Sequence, residues 1–198
     1  MDTHDYFRGI ENETLLYISQ LAAHGENWKD QLDQIVQFTR PFFIFDNIVI
    51  YFTEIETNHT DVMYARATGR GKTKGEDISW GDSVGNRVIA EKRIILEVPE
   101  NQSADDRLLA PHILGLPITV SSKLVGALVL IRFGGPEFHP DGVKFAEFLT
   151  NQIATLVQQK CLEDFEKVLQ SQRDLSRLQS DFVNTISHEL RNPLGFIK

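Results

Sequence analysis

The chain has 198 residues, of which 41% are hydrophobic and 24% charged, and it carries a formal net charge of −8 at pH 7. That acidic balance excludes a phosphate-neutralising nucleic-acid binder and offers no polybasic anchor for an anionic membrane. One cysteine, Cys161, excludes an internal disulfide and cannot build a zinc site alone; with no bilayer-length apolar run and no signal-peptide core after Met1, a soluble cytoplasmic protein is expected.

In chain order, residues 11 to 24 place Leu15, Ile18, Leu21 and Ala22 on one helical face, with Gly25 as a stop. Residues 26 to 39 repeat the pattern with Trp28, Leu32, Ile35 and Val36, and Pro41 ends that helix. The run "FFIFDNIVIYFTEI" is apolar on both faces and predicts a central strand buried on both sides; "DVMYARAT" predicts a shorter one. The polar, Gly-rich "GRGKTKGEDISWG" reads as a loop, and "DSVGNRVIAEKR" as a short helix capped at Asp82 or Ser83. A short strand, "IILEV", follows and stops at Pro99, and an acidic loop-like stretch then runs to residue 112. The segment "LGLPITVSSKLVGALVLIRF" predicts two strands joined near Ser121 and Ser122.

After the "GGP" break a helix opens at His139-Pro140-Asp141, with proline at its first helical position. Its apolar positions are Phe145, Phe148, Leu149, Ile153, Leu156 and Val157, and neither glycine nor proline falls between Val143 and Asn192. A breaker-free pattern of about fifty residues exceeds what a small domain buries and suggests a coiled coil. Leu162, Phe165 and Leu169 form one heptad series; Val168, Leu175, Leu178 and Phe182 form a second, one residue out of phase. The seam therefore shifts near 168 to 172, and an ordinary surface helix is the competing reading. The element order predicts an α+β fold with an antiparallel sheet.

Several motifs fail. "GRGKTKG" lacks the glycine a P-loop needs, since Arg66 stands five positions before Gly71, and Lys74 occupies the third glycine position of a dinucleotide fingerprint. The six histidines show no metal-ligand spacing; His112 and His139 flank the hairpin, where a structural role outweighs ligation of a haem iron. The sequons at Asn12, Asn58 and Asn101 carry no weight in a cytoplasmic chain.

Two resemblances emerge from the residues. Leu116-Pro117-Ile118, the strand Gly126-Ala127-Leu128-Val129-Leu130 and the helix residues Asn151-Gln152-Ile153-Ala154 resemble the end of a GAF domain. Upstream, "WGDSVGNRVIAEKRIILEVPE" resembles its glycine-bearing helix and middle strand. The resemblance spans residues 11–160 and implies a GAF-like antiparallel sheet flanked by helices, with a small-molecule pocket on one face, followed by a long C-terminal coiled-coil helix. Cys161 lies outside the position of a bilin-binding cysteine, and the N-K-F-D-E signature of cyclic-nucleotide binders is missing. The ligand is therefore unknown, and a ligand-free dimerisation role is equally open.

Past a linker at 161–180, residues 181–198 contain "FVNTISHELRNPLGFI", which resembles the H-box of a sensor histidine kinase dimerisation and phosphoacceptor domain. The resemblance makes His188 the phosphoacceptor, and neutral imidazole is nucleophilic near pH 7. It makes Glu189 the acid that orients the ring or takes its proton, and Glu189 with Asn192 the pair that positions water for dephosphorylating the partner. Adjacent helix residues do not face each other, so the role of Glu189 rests on the family. Pro193 is expected to bend the helix. The resemblance further implies a homodimer, a response-regulator receiver domain as partner, and ATP and Mg2+ for the intact parent. The second phosphoacceptor helix and the ATP-binding domain are missing from these residues, so the chain alone is expected to be inactive. A non-enzymatic GAF dimerisation or ligand-binding module is the alternative.

Overall fold

A computed structural model of the chain describes residues 3–23, 27–41, 43–53, 60–68, 76–99 and 111–194, with side chains described except over 3–12, 76–80 and 188–194. Its elements, in chain order, are helices α1 (Thr3–Ala23) and α2 (Trp28–Thr39), strands β1 (Asn47–Thr53) and β2 (Thr60–Ala67), helix α3 (Glu76–Glu91), strands β3 (Ile95–Glu97), β4 (His112–Val120) and β5 (Lys123–Arg132), and helix α4 (Pro140–Leu194). This is the order read from the sequence. Contacts divide the chain into two units, Met1–Val157 and Gln158–Lys198.

The strands form one antiparallel sheet in the order β2-β1-β5-β4-β3. β1 is interior and buried on both faces, as its uninterrupted apolar run requires, although β5 holds the centre. Ser121 and Ser122 join β4 to β5 with φ of 49° and 66°. Two consecutive positive φ values are the mark of a type I′ hairpin turn, whose twist matches the strands. Pro117 lies beyond the stretch of β4 that β3 covers, where its missing N–H costs no ladder bond.

Alternation along the strands sends side chains into two cores. Ile48, Ile50, Leu114, Leu116, Leu128 and Leu130 pack with α1, α2 and the sheet-covering part of α4, where Ile18, Leu32, Ile35, Leu149, Ile153 and Leu156 are fully buried. On the other face Val49, Tyr51, Val129 and Ile131 meet Val84 and Val88 of α3. Polar ties set the layers. Asn27 caps α2 through Lys29 N at 3.0 Å. Asp46, at the start of β1, accepts from Phe133 N at 2.8 Å and donates its own N–H to Ile131 O at 2.8 Å. On α2, Asp33 accepts from the Tyr64 hydroxyl at 2.5 Å and pairs with Arg66 at 2.7 Å, holding α2 to β2.

Boundaries differ from the sequence reading: β1 starts at Asn47, so residues 43–46 of the expected strand lie outside it, and two helices start early. α1 starts at Thr3, eight residues before the expected helix. α3 starts at Glu76, so residues 76–81 are helix where loop was expected, and neither Asp82 nor Ser83 caps it. Glycines at 81 and 85 lower helix propensity, but tertiary packing needs them. A Cβ on Gly85 would come within 2.8 Å of the Tyr51 ring, and one on Gly81 within 2.8 Å of the Tyr51 hydroxyl.

Gly126 makes the closest approach in the sheet. A Cβ there would stand 2.0 Å from the Tyr51 carbonyl oxygen, which is backbone and cannot step aside. Gly126→Ala is therefore expected to cost about 3 kcal/mol or more by forcing β1 and β5 apart. Urea denaturation of the variant checks this; an unchanged midpoint would mean that the β1–β5 spacing is looser than described.

Candidate functional site

The residues singled out for phosphate chemistry all lie on α4. His188, Glu189 and Asn192 fall within the helical span ending at Leu194, but their side chains lie outside the described residues. Helix geometry places positions 188 and 192 one turn apart on the same face, with 189 about 100° around the axis. The expected bend at Pro193 also concerns residues whose side chains are not described; the helix itself extends one residue past it.

The described residues leading to these positions are exposed. Leu162, Phe165, Val168, Leu175, Leu178 and Phe182 are 54–67% exposed, and Val183 and Ile186 continue the apolar run. Leu169 is half-buried. Around the stripe the helix is polar and held by short-range pairs, including Lys160 with Asp164 at 2.5 Å and Gln170 with Asp174 at 3.1 Å. Such pairs stabilise a solvated helix only slightly. Cys161 is exposed, and desolvation raises its thiol above the usual range, with Asp164 adding to the shift and Lys160 opposing it. It is therefore a weak nucleophile.

The first unit offers two recesses on the α4 side of the sheet. One, of about 320 Å³, is lined by Thr14, Phe43, Arg132, Phe138, His139 and Phe145 among others. The other, of about 360 Å³, lies among Ile94, Leu116, Pro117, Glu147 and Thr150. Sequence reasoning missed both, because each is assembled from residues far apart in the chain. The two histidines flanking the hairpin are not equivalent. His112 is 1% exposed and its Nδ1 has no hydrogen-bond partner among the described residues. His139 is solvent-exposed and accepts from Asp141 N at 3.4 Å, which makes it the N-cap of α4. Among the described residues no group of three or more His, Cys, Asp or Glu is arranged to hold a metal ion. No described helix is long and apolar enough to cross a membrane.

On the opposite face the Tyr51 side chain takes up the space under α3. Its hydroxyl donates to Asp82 Oδ1 at 2.7 Å, so a buried phenol from β1 is tied to an exposed carboxylate on α3. Burial first, then the hydrogen bond and charge of Asp82, raise the Tyr51 pKa well above its ordinary value of 10.0. Burial and Asp33 do the same for Tyr64, against a smaller opposing effect of Arg66.

Comparison with known proteins places this architecture. The family profile described as "GAF domain" matches residues 27–157. Among solved structures, the GAF domain of an Acinetobacter phosphoenolpyruvate-protein phosphotransferase superposes with a TM-score of 0.57 at 19% identity, covering 76% of this chain and 93% of that one. The GAF domain of a two-component sensor histidine kinase from Bacillus halodurans superposes with a TM-score of 0.52 at 18% identity, covering 71% and 99%. At these identities the likeness is one of fold. In sequence, 83 residues are 29% identical to the sensor protein KdpD of Clostridium acetobutylicum, covering 42% of this chain. The matched stretch spans 9% of that protein's length.

The Tyr51–Asp82 tie has a pH signature. The folded pKa of Tyr51 lies above its unfolded value, so its contribution is whole below about pH 10 and is lost as pH rises past that value toward the folded pKa. The urea midpoint should therefore fall between pH 9 and pH 11 (roughly one unit either side of a free phenol), and Tyr51→Phe should flatten that fall. At neutral pH the same variant should cost about 1 kcal/mol. A Tyr51→Phe protein with an unaltered alkaline slope would show that the phenol does not titrate differently on folding.

Proposed function

The chain belongs to the GAF domain family, and on that premise we propose that it is the sensory and regulatory part of a two-component sensor histidine kinase, controlling autophosphorylation of His188 and phosphotransfer to a response regulator. One observation carries this reading. The helix that covers the GAF sheet through Leu149, Ile153 and Leu156 is the same continuous helix, Pro140–Leu194, on which Ser187-His188-Glu189-Leu190-Arg191-Asn192-Pro193 stands. The partial likeness to a sensor protein supports the same direction.

The chemistry asked of this chain is limited. Phosphoryl transfer depends on positioning and charge stabilisation more than on covalent assistance. A histidine on a rigid helix supplies a neutral nitrogen nucleophile at cellular pH. In this reading His188 attacks the γ-phosphoryl group of ATP, Glu189 orients the imidazole or takes its proton, and Asn192 with Glu189 positions water during dephosphorylation of the regulator. ATP and Mg2+ would be held by the catalytic domain of the intact cytoplasmic kinase. The exposed apolar stripe from Leu162 to Phe182 favours a parallel homodimer, since a second helix would cover what one chain leaves in water. The GAF unit would sense a small molecule or serve dimerisation.

The deciding experiment restores these residues to an intact kinase and follows acid-labile phosphate from labelled ATP. His188→Gln should reduce incorporation to background while leaving the circular dichroism spectrum unchanged. Incorporation that persists in the variant removes His188 from its role. No incorporation in the unmutated kinase favours a non-enzymatic GAF dimerisation module instead, a reading that the phosphotransferase GAF fold leaves open.

Assembly is tested separately. Static light scattering of the chain should give the mass of a dimer at micromolar concentration, and Leu175→Glu combined with Leu178→Glu should shift it toward monomer. A monomeric mass for the unmutated chain would count against the coiled-coil assignment.

A further inference from the structure

We propose that the recess walled by Phe43, Phe138 and Phe145 is a binding site for a small organic carboxylate with an apolar body, and that Arg132 receives the carboxylate. The site lies on the α1–α2–α4 side of the sheet, across from α3. The proposal is independent of whether His188 accepts phosphate.

The walls supply an apolar slot. The Phe43 ring centroid lies 5.6 Å from that of Phe138 and 5.7 Å from that of Phe145, with the Phe43 ring tilted against each of them. Phe43 and Phe138 are buried and Phe145 half-buried, so the rings are held by the core and present their remaining surface to the recess. The volume of about 320 Å³ is at the small end of ligand sites, which suits a body of one ring or a short branched chain.

Arg132 supplies the charge. It is half-buried at the end of β5, and among the described residues its guanidinium has no hydrogen-bond or ion-pair partner. A partly desolvated arginine without an anion is unfavourable, and a planar two-pronged donor matches a carboxylate. Its position is built in. The guanidinium lies over Gly135, whose φ is +81°, and a Cβ there would meet Arg132 Nη2 at 3.2 Å. The glycine turn thus makes room for the side chain at the edge of the recess.

The nearby charges leave Arg132 available. Its cross-strand neighbour is His112, which offers no carboxylate. Asp141 is already engaged by Lys144 at 3.4 Å. Glu137 lines the recess but is exposed, so its charge is satisfied by water.

The test uses the whole chain and phenylacetate as probe, with phenylacetamide and 2-phenylethylamine as neutral and cationic counterparts of the same shape. Phenylacetate should bind saturably in the millimolar range by calorimetry and shift the ring resonances of Phe43, Phe138 and Phe145. Both counterparts should bind at least about tenfold more weakly, the loss of one charge-assisted pair. Arg132→Gln should weaken phenylacetate by a similar factor and leave phenylacetamide unchanged. Absence of saturation by phenylacetate, equal binding of the amine, or shifts confined to other residues would each overturn the proposal. The comparison of the three probes on the unmutated chain decides the matter even if the variant does not fold.

Discussion

The pairing of β1 with β5 is the constraint on which the rest of the structure depends. Both strands are buried on both faces, so neither face of the sheet can be left to water. That requirement calls for helices on each side and for backbones close enough to exclude any side chain at Gly126. A fully buried aliphatic side chain contributes about 1.5–3 kcal/mol, and the two strands place such residues in both cores at alternate positions. The helices are then held by what the strands present to them. Tyr51 points into the α3 side and dictates glycine at 81 and 85, while Ile48 and Ile50 face the larger core of α1, α2 and α4.

α4 serves two environments with one secondary structure. Through Val157 its apolar face is buried on the sheet. Beyond that residue the apolar positions continue at helical spacing but are mostly exposed. Propensity and short-range ion pairs sustain a solvated helix only weakly, and long helices in water ordinarily owe their stability to packing. An apolar stripe on such a helix is therefore a demand for a partner. A demand of that kind is compatible with a kinase and with a simple dimerisation module, which is why the phosphoacceptor resemblance and not the stripe separates them.

Much of the fold was legible in the residues. The 3.6-residue period of Ile18, Leu32, Ile35 and Leu149 located helices, and the largely apolar run "FFIFDNIVIYFTEI" located an interior strand. Pro140 marked the start of α4 and the serine pair marked the hairpin. The failure at 76–81 is instructive. Two glycines in that neighbourhood and a polar run lower intrinsic helix propensity, so a local reading starts the helix late; the close fit against Tyr51, about thirty residues away, outweighs it. Neither recess was foreseen, since the aromatic one joins residues 14, 43, 132, 138 and 145.

The sequence by itself determined the order of elements, the two-sided burial of β1, the start of α4 and the residues His188, Glu189 and Asn192 that resemble a phosphoacceptor site. These are properties of neighbours along the chain, and periodicity, turn chemistry and short motifs report them. Only the tertiary structure decided that Tyr51 meets Asp82, that His112 is buried with a ring nitrogen unpaired among the described residues, and that Arg132 stands beside three phenylalanine rings with no partner among those residues. Those outcomes depend on which distant residues the sheet register brings opposite one another, and no local pattern carries that information.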